Sequence, residues 1–241
     1  MQLNPQEKQI LRDLASRYME IASLPVQAEK RDLWKALNRS KMERPMVVID
    51  QLPWNELSVD SSLICQVSDP FWRGIEWQLR TTIYKWEHFP VDMVVEPFIT
   101  IPKAVSSSGY GIAVQEDTRD ASVAGDVLSH HYINQLETEE DIERLADMHI
   151  THDAAESEVR FQAASALFDG VAPVRLSGGI QFHLGIWDYI STLMGVENAY
   201  IDMIDRPEFI HKIMDRLTRS VLNGIREANE LGVHEDKINT C

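Results

Sequence analysis

Two acids stand where apolar runs give out. Met46 to Ile49 lead into Asp50 and Gln51, then into Pro53 and Trp54. Val91 to Val95 lead into Glu96 and Pro97 in the same way. A third run, PVRLSGG at 173 to 179, opens into Ser177, Gly178 and Gly179, with His183 shortly after. An acid or imidazole released at a strand end can protonate or hydrogen-bond a leaving group. In α/β proteins of the barrel type the chemistry collects at the C-terminal ends of strands. Asp50, Glu96 and His183 are therefore the catalytic candidates, and Gln51, Trp54, Ser177, Gly178 and Gly179 the substrate-binding ones. The plainer alternative is that such acids cap the next loop or pair with a neighbouring helix, and that Trp54 packs at the rim.

Other chemistry-bearing residues read as structural. His149 and His152, with Asp153 beside them, would share a helix face, but two ligands do not make a zinc site. His130 and His131 are adjacent on an expected strand and so point to opposite faces. Cys65 has no base near it in sequence and reads as packing. The aromatic residues between Trp72 and Trp86 follow helical spacing and read as a packing stripe. SGGI falls short of a dinucleotide fingerprint.

The elements that would carry these residues follow from periodicity. Asn4-Pro5-Gln6-Glu7 is a helix start with the makings of a capping box, and Ile10, Leu11, Leu14 and Tyr18 form its inner face. A second helix is expected over about 29 to 39, with Leu33, Trp34 and Leu37 inward. Ser68-Asp69-Pro70 starts a third, which His88-Phe89-Pro90 ends. Strands are expected at 46 to 50, 91 to 97 and 173 to 179, with a further one starting at 237. GIAVQED and VLSHHYIN predict a hairpin within about 108 to 135. Helices are expected near 138, over about 153 to 169, over 186 to 195 and over 207 to 231. Strands separated by long helical crossovers imply a parallel sheet, so the fold class is α/β, as an open sheet or an unfinished barrel.

The chain has 241 residues and a net charge of −15. That balance argues against nucleic acid as the main partner, because phosphate backbones are bound by releasing counterions to Lys and Arg. It argues equally against an anionic membrane surface. No apolar run approaches the roughly 20 residues of a membrane span, and the first ten residues lack a signal-peptide pattern. Two cysteines, Cys65 and Cys241, cannot make a disulfide framework, which suits a reducing cytoplasm.

The stretch from GIWDYISTLMGVENAYIDMIDRPEFIHKIMD to ELGV, 185 to 233, resembles the middle of the uroporphyrinogen decarboxylase superfamily. KALNRSKMERPMVVID resembles that family's first strand with its lead-in, and RLSGG with the apolar helix after it a later strand and loop. Order and spacing over residues 30 to 241 carry the resemblance, not any single motif. It implies a (β/α)8 TIM-barrel type of fold, incomplete in this chain. Residues 1 to 40 would be a helical extension, and 41 to 241 the N-terminal part of the barrel with the hairpin inserted.

The decarboxylases of the family carry an arginine-rich signature near RQAGR after the first strand, which clamps substrate carboxylates. Here that place reads DQLPWNEL, and no arginine occurs between Arg44 and Arg73. A polycarboxylate substrate needs cations. The resemblance therefore favours the family's corrinoid-dependent methyltransferases. It implies a small methylated donor, such as an aryl methyl ether or a methylamine, and a corrinoid carried on a partner protein. In the zinc-binding members a His-x-Cys motif and a later Cys lie in the second half of the barrel, so zinc would be held by residues beyond this chain. Two alternatives stay open: a decarboxylase of a small or porphyrin-type acid, and a non-catalytic half-barrel whose free sheet edges drive homo-oligomer formation.

Overall fold

The computed structural model describes residues 2–49, 51–120 and 128–234. Asp50, Cys241 and the strand expected from 237 lie outside the described residues. The chain is mixed α/β and divides into two compact units, whose described residues are those up to Pro102 with Ala155–Ser177 in one, and 103–154 with 178–234 in the other. Among the described residues no helix is long and apolar enough to cross a membrane.

The first unit is built on two capped helices. In α1 (Pro5–Ala22) Asn4 Oδ1 accepts from the Glu7 amide and Glu7 Oε2 accepts from the Asn4 amide, both at 2.9 Å. The second Glu7 oxygen accepts from the Ser68 amide and hydroxyl, at 2.9 and 2.7 Å, which ties the start of α1 to the lead-in of the next long helix. The Asn4 amide first, then Ser68, hold Glu7 below the usual carboxylate range. α2 is Pro25–Asn38, starting four residues before the expected 29, because Pro25 suits a first helical position. Of its expected inner residues only Trp34 is buried. α3 (Trp54–Leu57) is one turn, and α4 (Pro70–His88) is capped by Asp69. Trp72, Ile75 and Leu79 of α4 pack with Leu11, Ala15 and Tyr18 of α1 in one buried cluster. Burial of Leu11, Ile75 and Leu79 contributes about 1.5–3 kcal/mol each.

The same cluster covers a parallel strand pair. β1 (Ile99–Pro102) has its partner much later in the chain, Ile99 lying opposite Val174 and Pro102 opposite Ser177.

Two expected strands are absent here. Residues 46–49 form no ladder, and Val47 is half exposed. Residues 93–96 form none either, so Glu96 precedes the strand β1 instead of leaving one. The reason lies in α2. Gln27 Oε1 accepts from the Val95 amide at 2.9 Å, Lys30 Nζ donates to the Val91 carbonyl at 2.5 Å, and Trp34 Nε1 donates to the Asp92 carbonyl at 2.7 Å. Side chains meet the backbone groups that a neighbouring strand would have met. The 46–49 run keeps one backbone bond, from the Asp92 amide to the Val47 carbonyl at 2.9 Å. Arg44 grips Asp92 through both guanidinium nitrogens, at 2.9 and 2.6 Å, and Val47 donates its amide to the same carboxylate at 2.9 Å. The Arg44 guanidinium first, and the Val47 amide behind it, hold Asp92 at about 2 although burial pushes the other way.

In the second unit β2 (Ala104–Ser107) runs antiparallel to a strand nearly fifty residues on, with Ala104 opposite Asp153 and Ser107 opposite Ile150. β3 (Glu116–Asp120) and β4 (Leu128–Tyr132) pair antiparallel, Glu116 opposite Tyr132. A capping box of Thr138 and Asp141 starts the short α5 (Glu139–Glu143). β5 (Ile150–Asp153) is the partner of β2. His152 thus lies on a strand and His149 just before it, not on a shared helix face. His149 Nδ1 pairs with Glu227 Oε1 at 2.9 Å, and the Ile150 amide donates to Glu227 Oε2 at 2.7 Å. α6 (Ala154–Phe168) then runs into the first unit and buries Ala164 and Phe168 in the cluster around Ile99 and Ile101. β6 (Val174–Ser177) is the parallel partner of β1. The described strands thus make three two-stranded sheets, one parallel and two antiparallel.

Three helices close the second unit: α7 (Ile186–Met194), α8 (Val196–Asp205) and α9 (Pro207–Leu231). Ile190, Leu193 and Met194 meet Phe209, Ile210, Ile213 and Leu217 in its main cluster. α9 ends at Gly232, whose φ of 63° is left-handed and favours glycine.

Two predictions follow from the first unit. Glu76 is fully buried on α4. It accepts from the Gln66 amide at 2.9 Å and the Val67 amide at 2.8 Å, and pairs with Arg80 at 2.8 Å. Glu76→Leu leaves those amides without an acceptor and the buried Arg80 guanidinium without its carboxylate, so urea unfolding should show a loss of about 3–5 kcal/mol. The Asp92 carboxyl is depressed from its ordinary 3.8, so its stabilisation is complete above that value and is lost as pH falls through about 2. Thermal melts between those pH values should show a steeper acid loss for the natural chain than for Asp92→Asn, which is less stable at neutrality.

Candidate functional site

The chain leaves β6 through Ser177, Gly178 and Gly179, and the local geometry explains the two glycines. Ser177 and Gly178 are buried. Gly179 donates its amide to the Val233 carbonyl at 3.0 Å, and Ile180 donates to the same oxygen at 3.2 Å. Ile180 bridges His234 in the parallel sense. A Cβ at Gly179 would stand 2.7 Å from Val105 Cβ and 3.1 Å from the Lys103 carbonyl. Glycine is here because β2 passes against the backbone. The SGG element is thus a close-packed strand continuation.

His183 comes next, and it has a partner. Its Nε2 lies 2.5 Å from Asp188 Oδ2. Asp188 sits in the first turn of α7, so the pair stands over the start of that helix. The pair closes over Gly185: a Cβ there would lie 2.6 Å from both Asp188 Oδ2 and His183 Nε2, so a side chain at 185 would push the two apart. Tyr189 donates its hydroxyl to the His183 carbonyl at 3.3 Å and sets its ring edge-on to the imidazole at 5.7 Å. The Tyr110 ring lies against Tyr189 at 4.7 Å, and burial pushes the Tyr110 hydroxyl above its usual value. The His183 and Asp188 side chains are 58% and 70% exposed, so the pair adds little stability. Its geometry serves to orient an imidazole: with Nε2 held, Nδ1 has no hydrogen-bond partner among the described residues.

The remaining candidates belong to the first unit. Glu96 pairs with Arg31 at 3.2 Å and is half exposed. Trp54 opens α3 and sets its ring edge-on to Trp77 at 5.7 Å and to Tyr84 at 6.1 Å, with Lys85 Nζ 5.9 Å above it. Gln51 is exposed three residues before it. Among the described residues no hydrogen bond, ion pair or ring contact joins Glu96 to the Trp54 cluster, and Asp50 lies outside the described residues. Cys65 lines a surface hollow with Arg73 and Trp77, and burial pushes its thiol up. Among the described residues no three His, Cys, Asp or Glu side chains converge as metal ligands, so these residues do not themselves make a zinc site.

Asp188, Tyr189 and Arg31 are the residues that sequence patterning passed over. A glycine between a histidine and an acid five residues on, at a helix start, was the available signal for Asp188. Nothing in the sequence ties Arg31 to Glu96, sixty-five residues away.

No family model, curated protein or solved structure matches the chain.

Gly185→Ala should part the imidazole from its carboxylate without touching either side chain. The His183 ring resonances, recorded by NMR at a single pH, should match between Gly185→Ala and Asp188→Asn and differ from those of the natural chain, because both variants lose the Nε2–Asp188 contact.

Proposed function

We propose that the chain acts in methyl transfer between a small methylated donor and a corrinoid carried on a partner protein. The order of the family-like segments along the sequence, and the missing arginine signature after Ile49, support this reading. The observation that carries it is the held His183, with one nitrogen fixed by Asp188 and the other free of protein partners among the described residues.

The chemistry asks for such a group. The reduced cobalt centre of the corrinoid, a substrate here, attacks the donor methyl carbon with its electron pair. The carbon–oxygen or carbon–nitrogen bond breaks, and its electrons stay with the leaving atom. That atom needs a proton or a hydrogen bond as charge develops. An imidazolium at His183, oriented by Asp188, delivers the proton through Nδ1 as the bond breaks.

Cob(I)alamin, supplied with a panel of aryl methyl ethers and methylamines, is the test, with methylcobalamin followed by its absorption. The expected result is product from at least one donor, falling about 10²–10⁴-fold in His183→Ala. No methylcobalamin from any donor, or a His183→Ala rate equal to that of the natural chain, overturns the proposal.

A further inference from the structure

Helix α8 is turned inside out relative to an ordinary surface helix. Its buried side is narrow: Ala199 and Asp202 are the residues taken out of water. Asp202 is held there by Arg206, at 2.8 and 2.6 Å. Its solvent side carries five apolar side chains beside Glu197, Asn198 and Asp205. Val196, Tyr200, Met203 and Ile204 recur at the spacing of one helical stripe, and Tyr200 is 64% and Ile204 82% exposed. Ile201 extends the stripe and is also exposed. Single exposed apolar residues are normal, but a contiguous stripe of them marks an interaction surface.

The stripe borders a groove of about 390 Å³ lined by Trp187, Met203, Pro207, Ile210, His211 and Met214. A ten-residue helix is about 15 Å long, so stripe and groove match two or three turns of one helix. Methionines suit such a groove, because their unbranched thioethers repack around different anchors. The rim is acidic. Glu197 and Asp205 on α8 and Glu208 in the first turn of α9 are exposed and make no ion pair among the described residues, whereas Arg206 is engaged by Asp202 and Lys212 by Glu139.

We propose that the exposed stripe of α8 and the adjoining groove dock a basic amphipathic helix of a partner protein. The rim decides the occupant. A second copy would set Glu197 and Asp205 against their own equivalents on a chain of net charge −15, and like charges across an interface oppose association. An anionic bilayer is disfavoured for the same reason. A helix with a leucine-like face and flanking lysines or arginines fills the groove and neutralises the rim together. This inference stands apart from the methyl-transfer reading and needs no activity to test.

Two fluorescent 14-residue helical peptides with one leucine pattern, one carrying lysines and one glutamates, are titrated with the protein and followed by anisotropy. The lysine peptide should bind and weaken with salt, and the glutamate peptide should not bind. Tyr200→Ser with Ile204→Ser keeps the net charge and should weaken binding about tenfold or more. Glu197→Lys with Asp205→Lys should shift preference toward the glutamate peptide. Circular dichroism checks that both variants keep their helix content; both change exposed side chains. Equal binding of the lysine peptide by the natural chain and the serine variant, or no binding at all, overturns the proposal. So does a dimer in solution that the serine variant splits, which would assign the surface to a second copy.

Discussion

Backbone amides and carbonyls that leave water must find partners, and in the first unit α2 supplies them. Gln27, Lys30 and Trp34 reach residues 91–95 and take three groups that a strand ladder would have used. That one arrangement sets much else. It keeps 91–96 out of a sheet and leaves the ladder to start at Ile99. It also places a lysine stem and an indole against the chain where Arg44 and Asp92 meet, so that residues 44–47 are strapped down by a guanidinium instead of a neighbouring strand. Glu96, expected at the mouth of a strand, ends up beside Arg31 on the same helix.

In the second unit the governing constraint is space. Val105 and the Lys103 carbonyl leave no room for a side chain at residue 179, and at 185 a side chain would displace the His183–Asp188 pair. Glycine acts at both places through the space it leaves, not through an unusual backbone angle. The first lets the chain after β6 lie against β2, and the second lets an imidazole and a carboxylate close over one turn at the start of α7. A histidine that is mostly exposed thereby acquires a defined ring orientation, which a surface ion pair alone would not secure.

The acidic balance of the chain is divided between two uses. Glu76, Asp92, Asp202 and Glu227 are internal fasteners, each meeting a cation, an imidazole or backbone amides. Glu197, Asp205 and Glu208 stay at the surface around an apolar helix face. Net charge speaks against nucleic acid or an anionic membrane as partner, but it does not distinguish these two populations, because burial and the approach of distant chain segments separate them.

Helix existence was legible in the residues themselves. The Asn4–Glu7 box, the Asp69-Pro70 start and the long apolar stripe of α9 are local signals, and local hydrogen bonds and periodicity are enough to act on them. The strand β4 was legible within the VLSHHYIN run, but its partner β3 begins only at Glu116, at the end of the expected GIAVQED run, because pairing across the hairpin and not alternation sets its place. The strands at 46–50 and 91–97 were not, since a short apolar run looks the same whether its backbone is met by another strand or by side chains. α8 escaped as a separate helix because its apolar residues face solvent, reversing the usual pattern. Of the candidate site, His183 was visible as a residue type after a strand, but Asp188 as its partner, Arg31 as the partner of Glu96, and the packing that excludes a side chain at 179 depend on atoms brought together by folding. The sequence by itself determined which segments coil and where they are capped, because those choices are made within a few residues. Only the tertiary structure decided which polar groups meet, because that depends on distances across the fold that no local pattern encodes.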